Sequence, residues 1–201
     1  MLYNSNSIPT IGSVDTGSTT TDFLEEERAR GITIQSATVS YNWNDSTINL
    51  IDTPGHLDFT NDVEMSMSVI DGLILVICAS SGVQTQTKTI FRQMNRYAVP
   101  GIIFINKMDK DNAHFMNAFK SVKSEMSGLN PVIAQLPLGL DSSKKVHLCG
   151  GGSNFCGALD LITGQVSLWE TSEQSCRKYF FGGVNGLFFM KIKNENFLEI
   201  Y

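Results

Sequence analysis

Asp52, Gly55 and His56 stand together in Asn49-Leu-Ile-Asp-Thr-Pro-Gly-His-Leu-Asp58, where an apolar strand stops at Asp52 and the chain turns through Pro54 and Gly55. A carboxylate at a strand end, a glycine amide free to donate and a polar side chain beside them can serve a metal-bound phosphate and position its attacking water. The chemistry implied is nucleotide hydrolysis. A second apolar run, Gly101-Ile-Ile-Phe-Ile-Asn-Lys-Met-Asp109, ends in Asn106-Lys107-x-Asp109. Asp-x-x-Gly followed by Asn-Lys-x-Asp fixes five residues at roughly 5% each, ~3 × 10⁻⁷ for one placement. With a few thousand placements, coincidence stays near roughly one in a thousand.

Strands must deliver these two ends to one edge of a sheet. Phe23 to Arg30 is a charged segment with acid first and base last, as a short helix prefers, and its plain reading is a solvated face. Ala37 to Trp43 alternates Val39, Tyr41 and Trp43 against polar residues, a half-buried strand. Asn44-Asp45-Ser46 is turn chemistry, so Thr47 to Asp52 returns antiparallel. Val63, Met67 and Ile70 recur at helical spacing. Leu73 to Cys78 is continuously apolar, the pattern of a parallel strand covered on both faces. Helices follow at about 84–97 and 113–126, the strand ending at Asn106 lies between them, and Pro131 to Leu136 is a last core strand. Strands alternating with helices predict an α/β fold of crossover units with its ligand site at the strand C-termini.

The remaining stretches carry weaker signals. Gly12-Ser-Val-Asp-Thr-Gly17-Ser18-Thr19 imitates a phosphate loop, but Ser18 takes the lysine position and no buried strand leads into Gly12. Asp15-Thr16-Gly17 imitates an aspartic-protease triplet. Two carboxylates must share a proton there, and with one triplet only a homodimer would serve. Cys149-Gly-Gly-Gly-Ser153 reads as a flexible insertion, Phe155 to Glu170 as a small strand pair, and the apolar residues after Phe180 have no assignment.

Bulk composition bounds the rest. With 201 residues, 42% hydrophobic and 17% charged, the chain can bury one domain plus an appendage. Its net charge of -5 offers no nucleic-acid or anionic-membrane signature. No apolar run approaches the roughly 20 residues of a membrane span, and the first residues show neither a secretory nor an organelle presequence pattern. Cys78, Cys149, Cys156 and Cys176 lack zinc-ligand spacing, so they are expected to be structural thiols.

Asp52-Thr-Pro-Gly-His56, Asn106-Lys-Met-Asp109 and Phe23-Leu-Glu-Glu-Glu-Arg-Ala-Arg-Gly-Ile-Thr-Ile34 closely resemble the G domain of translational GTPases of the elongation factor G family. Gly12 to Phe23 and Asn106 to Lys110 look most like its mitochondrial ribosome-releasing branch. The resemblance implies a GTPase-type, mostly parallel sheet flanked by helices, a G domain over 1–139, the start of an inserted subdomain over 140–170, and an unassigned tail over 171–201. It implies GTP and Mg2+ as ligands, with Thr33 and Asp52 as magnesium residues and the Gly55 amide as the γ-phosphate contact. It also implies that His56 orients the attacking water, that Asn106 and Asp109 read guanine, and that Lys107 lies over the nucleotide. It further implies GTP hydrolysis coupled to the mitochondrial ribosome, with a ribosome recycling factor as partner, in disassembly or translocation.

By the same alignment the first strand and the phosphate loop fall before Met1. The expectation is then weakened GTP affinity and a marginally stable chain, with a non-catalytic binding module as the alternative. Losing a phosphate-loop lysine and several amides would cost more than ~5 kcal/mol at ~1.5–3 kcal/mol per charged hydrogen bond.

Overall fold

The computed structural model of the chain describes residues 1–10, 12, 19–30, 32–55, 60–140, 142, 146–169, 176–179 and 189–193. Two compact units emerge, Met1–Ile70 and Asp71–Tyr201. The phosphate-loop look-alike from Ser13 to Ser18, with its Asp-Thr-Gly triplet, lies outside the described residues, as do His56 and Phe180 to Phe188.

In the first unit, α1 (Glu25–Arg30) opens with three glutamates, which favour the positive end of the helix dipole. β1 (Ala37–Trp43) and β2 (Ser46–Asp52) pair antiparallel, from Ala37 opposite Asp52 to Trp43 opposite Ser46. Asn44 and Asp45 close this hairpin at φ 46° and 62°. A two-residue turn with both φ positive matches the strand twist, and Asn and Asp tolerate that region best. Ala37 and Tyr41 are buried on the inner face. On the outer face Ser40 donates to Asn49 Oδ1 and Thr47 to Asn42 Oδ1. α2 (Thr60–Met67) buries Val63 and Met67, four residues apart on one side.

The second unit holds two sheets. In the first, β3 (Leu73–Cys78) and β4 (Gly101–Asn106) are parallel and joined through α3 (Thr85–Arg96), and α4 (Phe115–Glu125) leads on to β5 (Asn130–Ile133). In the second, β6 (Gln135–Leu140), β7 (Val146–Leu148), β8 (Phe155–Asp160), β9 (Val166–Trp169) and β10 (Cys176–Tyr179) are all antiparallel, in the order β10-β9-β8-β6-β7. β11 (Phe189–Lys193) returns to the first sheet between β4 and β5, antiparallel to both, so that sheet is mixed.

Three features differ from expectation. Among the described residues β3 is covered on one face: Leu75 and Ile77 are buried, whereas Ile74 is 40% and Val76 56% exposed. α3, which buries Phe91 and Met94, packs against β3, and α4, which buries Phe115, Ala118 and Val122, packs against β5. The predicted strand 131–136 is divided at Ala134 between the two sheets. Ala134 O accepts the Leu161 N–H at 2.8 Å and Gln135 pairs with Asp160, which draws the chain onto β8. The glycine run after Cys149 is a built turn rather than a flexible insertion, because Phe115 N–H donates to Gly150 O at 2.6 Å and Gly152 N–H to Met108 O at 2.7 Å. Cys78, Cys149 and Cys156 are free thiols.

One-sided cover has a direct test by chemical denaturation. Ile103→Ala, at a position with no exposure, should cost about 2–5 kcal/mol, whereas Val76→Thr should stay within about 0.5 kcal/mol. Equal losses would contradict it.

Candidate functional site

The predicted residues fall in both units. In the first, Asp52 is the last residue of β2 and is half-buried. Pro54 behind it is fully buried, and among the described residues none beyond the chain neighbours has an atom within 4 Å of where a Gly55 Cβ would stand. Ala37 opposite Asp52 brings the loop before β1, which carries Thr33, to the end of the hairpin where Asp52 and Gly55 lie.

Two buried carboxylates hold that loop. Asp22, 6% exposed, accepts the Thr33 hydroxyl at 3.1 Å on one oxygen and the Thr19 hydroxyl on the other. A hydroxyl that gives its proton to a carboxylate keeps its oxygen lone pairs available to a metal. Glu27 has no exposure at all. One of its oxygens accepts the Ile34 and Gln35 N–H groups at 2.9 and 3.0 Å, and the other accepts the Leu24 N–H at 2.9 Å. Burial pushes this carboxyl up, but the N–H donors of Gln35, Leu24 and Ile34 outweigh it and leave the carboxyl below its usual range. Glu27 thus ties the start of α1 to the two residues after Thr33.

Among the described residues no cluster of three or more His, Cys, Asp or Glu could cage a metal. Magnesium needs none where substrate phosphates and water complete its shell, and the Thr33 hydroxyl and Asp52 carboxylate are hard oxygen donors of the right kind. The donor set fits.

In the second unit Cys78 and Asn106, the ends of β3 and β4, pair in register. Asn106 Oδ1 accepts the N–H of Lys107 at 2.8 Å, which leaves the side-chain NH2 as its outward donor. Lys107 holds φ 59°, uncommon for a residue with a Cβ. Asn106, Lys107 and Asp109 are exposed, while Met108 between them is 4% exposed and anchors the loop. A cavity of about 220 Å³ opens against Asn106, Lys107, Gln84, Thr87 and Cys78. The Ser80 hydroxyl and backbone donors pull the Cys78 thiol down to about 7.

Asp22, Glu27 and the Met108 anchor are absent from the sequence-based site. For Glu27 a signal existed: a glutamate three residues after Leu24 is the N3 half of a capping box. Two adjacent glutamates masked it. The Met108 seat depends on residues some forty positions away in sequence and left no local trace.

The profile of the Elongation factor Tu GTP binding domain matches residues 1–196. The chain belongs to that family. "Ribosome-releasing factor 2, mitochondrial" of Danio rerio is 45% identical over 170 residues, which is 85% of this chain and 21% of that protein. "Elongation factor G" of Petrotoga mobilis is 44% identical over 169 residues, 84% of this chain and 23% of that protein. The chain therefore spans about a fifth of the length of these curated relatives. A crystal structure from Thermus thermophilus superposes with TM-score 0.72 at 21% identity, covering 89% of this chain and 24% of that one, and shows the same fold. The α/β architecture is thus that of a translational GTPase G domain. Members of this family bind GTP, generally with magnesium.

The Glu27 clasp makes a pH-dependent prediction. A carboxyl whose folded-state pKa lies below its unfolded value stabilises fully above the unfolded value and loses that contribution as pH falls through the folded one. Glu27→Gln should therefore melt several degrees below the unsubstituted chain at pH 7, and the gap should close as pH is lowered below 4.5. A gap unchanged at pH 3 would show that charge plays no part.

Proposed function

We propose that the chain binds GTP with magnesium, reads the guanine through Asn106 and Asp109, and hydrolyses the γ-phosphate as the G domain of a mitochondrial translation factor that disassembles ribosomes. The observation that carries this reading is the exposed pair on one braced loop: a side-chain NH2 at Asn106 and a carboxylate at Asp109, three residues apart. Guanine presents acceptors at O6 and N7 and donors at N1 and N2. The NH2 suits the first edge and the carboxylate the second. Adenine carries a donor where guanine has O6 and lacks the N1 and N2 donors. Lys107 lays its aliphatic stem over the base.

Thr33 and Asp52 would hold the magnesium, which would offset charge on the phosphates. The Gly55 N–H donates to the γ-phosphate, Glu27 keeps the Thr33 loop from opening, and His56 orients the attacking water. The ribosomal role rests on relatives named for ribosome release in mitochondria. In this reading GTP hydrolysis is coupled to the mitochondrial ribosome, and a ribosome recycling factor is the partner.

Asp109→Asn separates this from any generic nucleotide pocket. The substitution exchanges an acceptor for a donor and breaks two charge-assisted hydrogen bonds worth ~1.5–3 kcal/mol each. In an equilibrium titration carried to millimolar nucleotide with Mg2+, GTP affinity should fall by about 10² or more. Xanthosine triphosphate, with a carbonyl at C2, should bind the variant better than GTP does. An unchanged order of affinities would refute guanine reading by this loop.

A further inference from the structure

Of the four residues Asn106 to Asp109 only Met108 is buried, so the loop is attached to the body of the unit through Met108. The turn between β7 and β8 of the five-stranded sheet lies directly against it. Gly152 N–H donates to Met108 O at 2.7 Å. Gly151 passes so close that a Cβ there would stand 3.0 Å from Met108 O, 3.0 Å from Met108 Cε and 3.1 Å from Ala113 Cβ. Gly151 and Gly152 hold φ +120° and +95°, where an L side chain is strained. The adjoining Gly150 has no positive φ, and a Cβ on it would rest against the His114 ring at 3.5–3.6 Å, an ordinary contact.

We propose that the Gly151–Gly152 turn is a specificity-determining positioning element: it seats Met108 and thereby sets the spacing of the Asn106 amide and the Asp109 carboxylate, so that the five-stranded sheet tunes guanine recognition. The inference rests on the guanine reading above. A rigid brace behind exposed polar groups is how a site keeps sub-ångström geometry without burying the groups that must meet ligand. Displacing Met108 O by a few tenths of an ångström moves the residues on both sides of it. Neither Gly151 nor Gly152 touches the base in this account; they act through Met108.

The test compares Gly151→Ala with Gly150→Ala. The measured quantity is the ratio of GTP to inosine triphosphate affinity, because inosine lacks only the N2 amine that Asp109 reads. The unsubstituted chain and Gly150→Ala should favour GTP by about tenfold or more. Gly151→Ala, folded by circular dichroism, should narrow that ratio to within about threefold. Loss of stability alone would weaken both nucleotides equally and leave the ratio intact. A full ratio in Gly151→Ala, or a collapsed one in Gly150→Ala, overturns the proposal.

If the unsubstituted chain binds neither nucleotide, the guanine reading has failed, and the brace is judged by amide resonances. Those of Lys107 to Asp109 should move in Gly151→Ala and stay in Gly150→Ala, and their staying in both overturns it. If Gly151→Ala does not fold, hydrogen exchange of the unsubstituted chain decides. Protection of the Gly152 amide supports the brace, and exchange at the free-peptide rate overturns it.

Discussion

Side chains that meet a ligand must keep a face open to it, so their geometry is fixed from behind, through the backbone or through the side of the group turned away. Two loops, one in each unit, follow that constraint. Thr33 is held by carboxylates that are themselves out of water: Asp22 through the hydroxyl, and Glu27 through the backbone of the next two residues. Asn106 and Asp109 are held by Met108, whose carbonyl receives the Gly152 N–H. A buried carboxylate is tolerable only when its oxygens are satisfied, and three backbone donors satisfy Glu27. The same donors immobilise the Thr33 loop, so the cost of burying the charge and the rigidity of the loop have one origin.

The sheets serve the same end. Parallel pairing of β3 and β4 places Cys78 and Asn106 side by side, and the α3 crossover makes that pairing possible. The second sheet, antiparallel throughout, contributes its β7–β8 turn to the loop after Asn106. The glycine turn packs one backbone closely against another.

Much of this was legible in the amino acids. The β1–β2 hairpin followed from Asn44-Asp45, which alone in that stretch suits a turn with two positive φ values. The α3 and α4 helices followed from 3.6-residue spacing, and Asp52 and Asn106 from strand ends that stop in polar residues. What escaped has a common character. Exposure of Val76 depends on which elements lie over β3, and a continuous apolar run reads the same whether one face or two are covered. Glu27 is hidden among Glu25 and Glu26, and only the fold decides which of three equal carboxylates turns inward. The glycines after Cys149 carry the composition of a linker; their role appears only with Met108 in place.

The Asn106–Asp109 loop is a guanine reader whose amide and carboxylate are fixed from behind by Met108. A backbone-amide NMR titration with GTP, repeated with ATP, probes this at the loop itself. Resonances of Asn106 to Asp109 should move with GTP and stay in place with ATP. No movement with GTP, or equal movement with both nucleotides, would show that the loop does not read guanine.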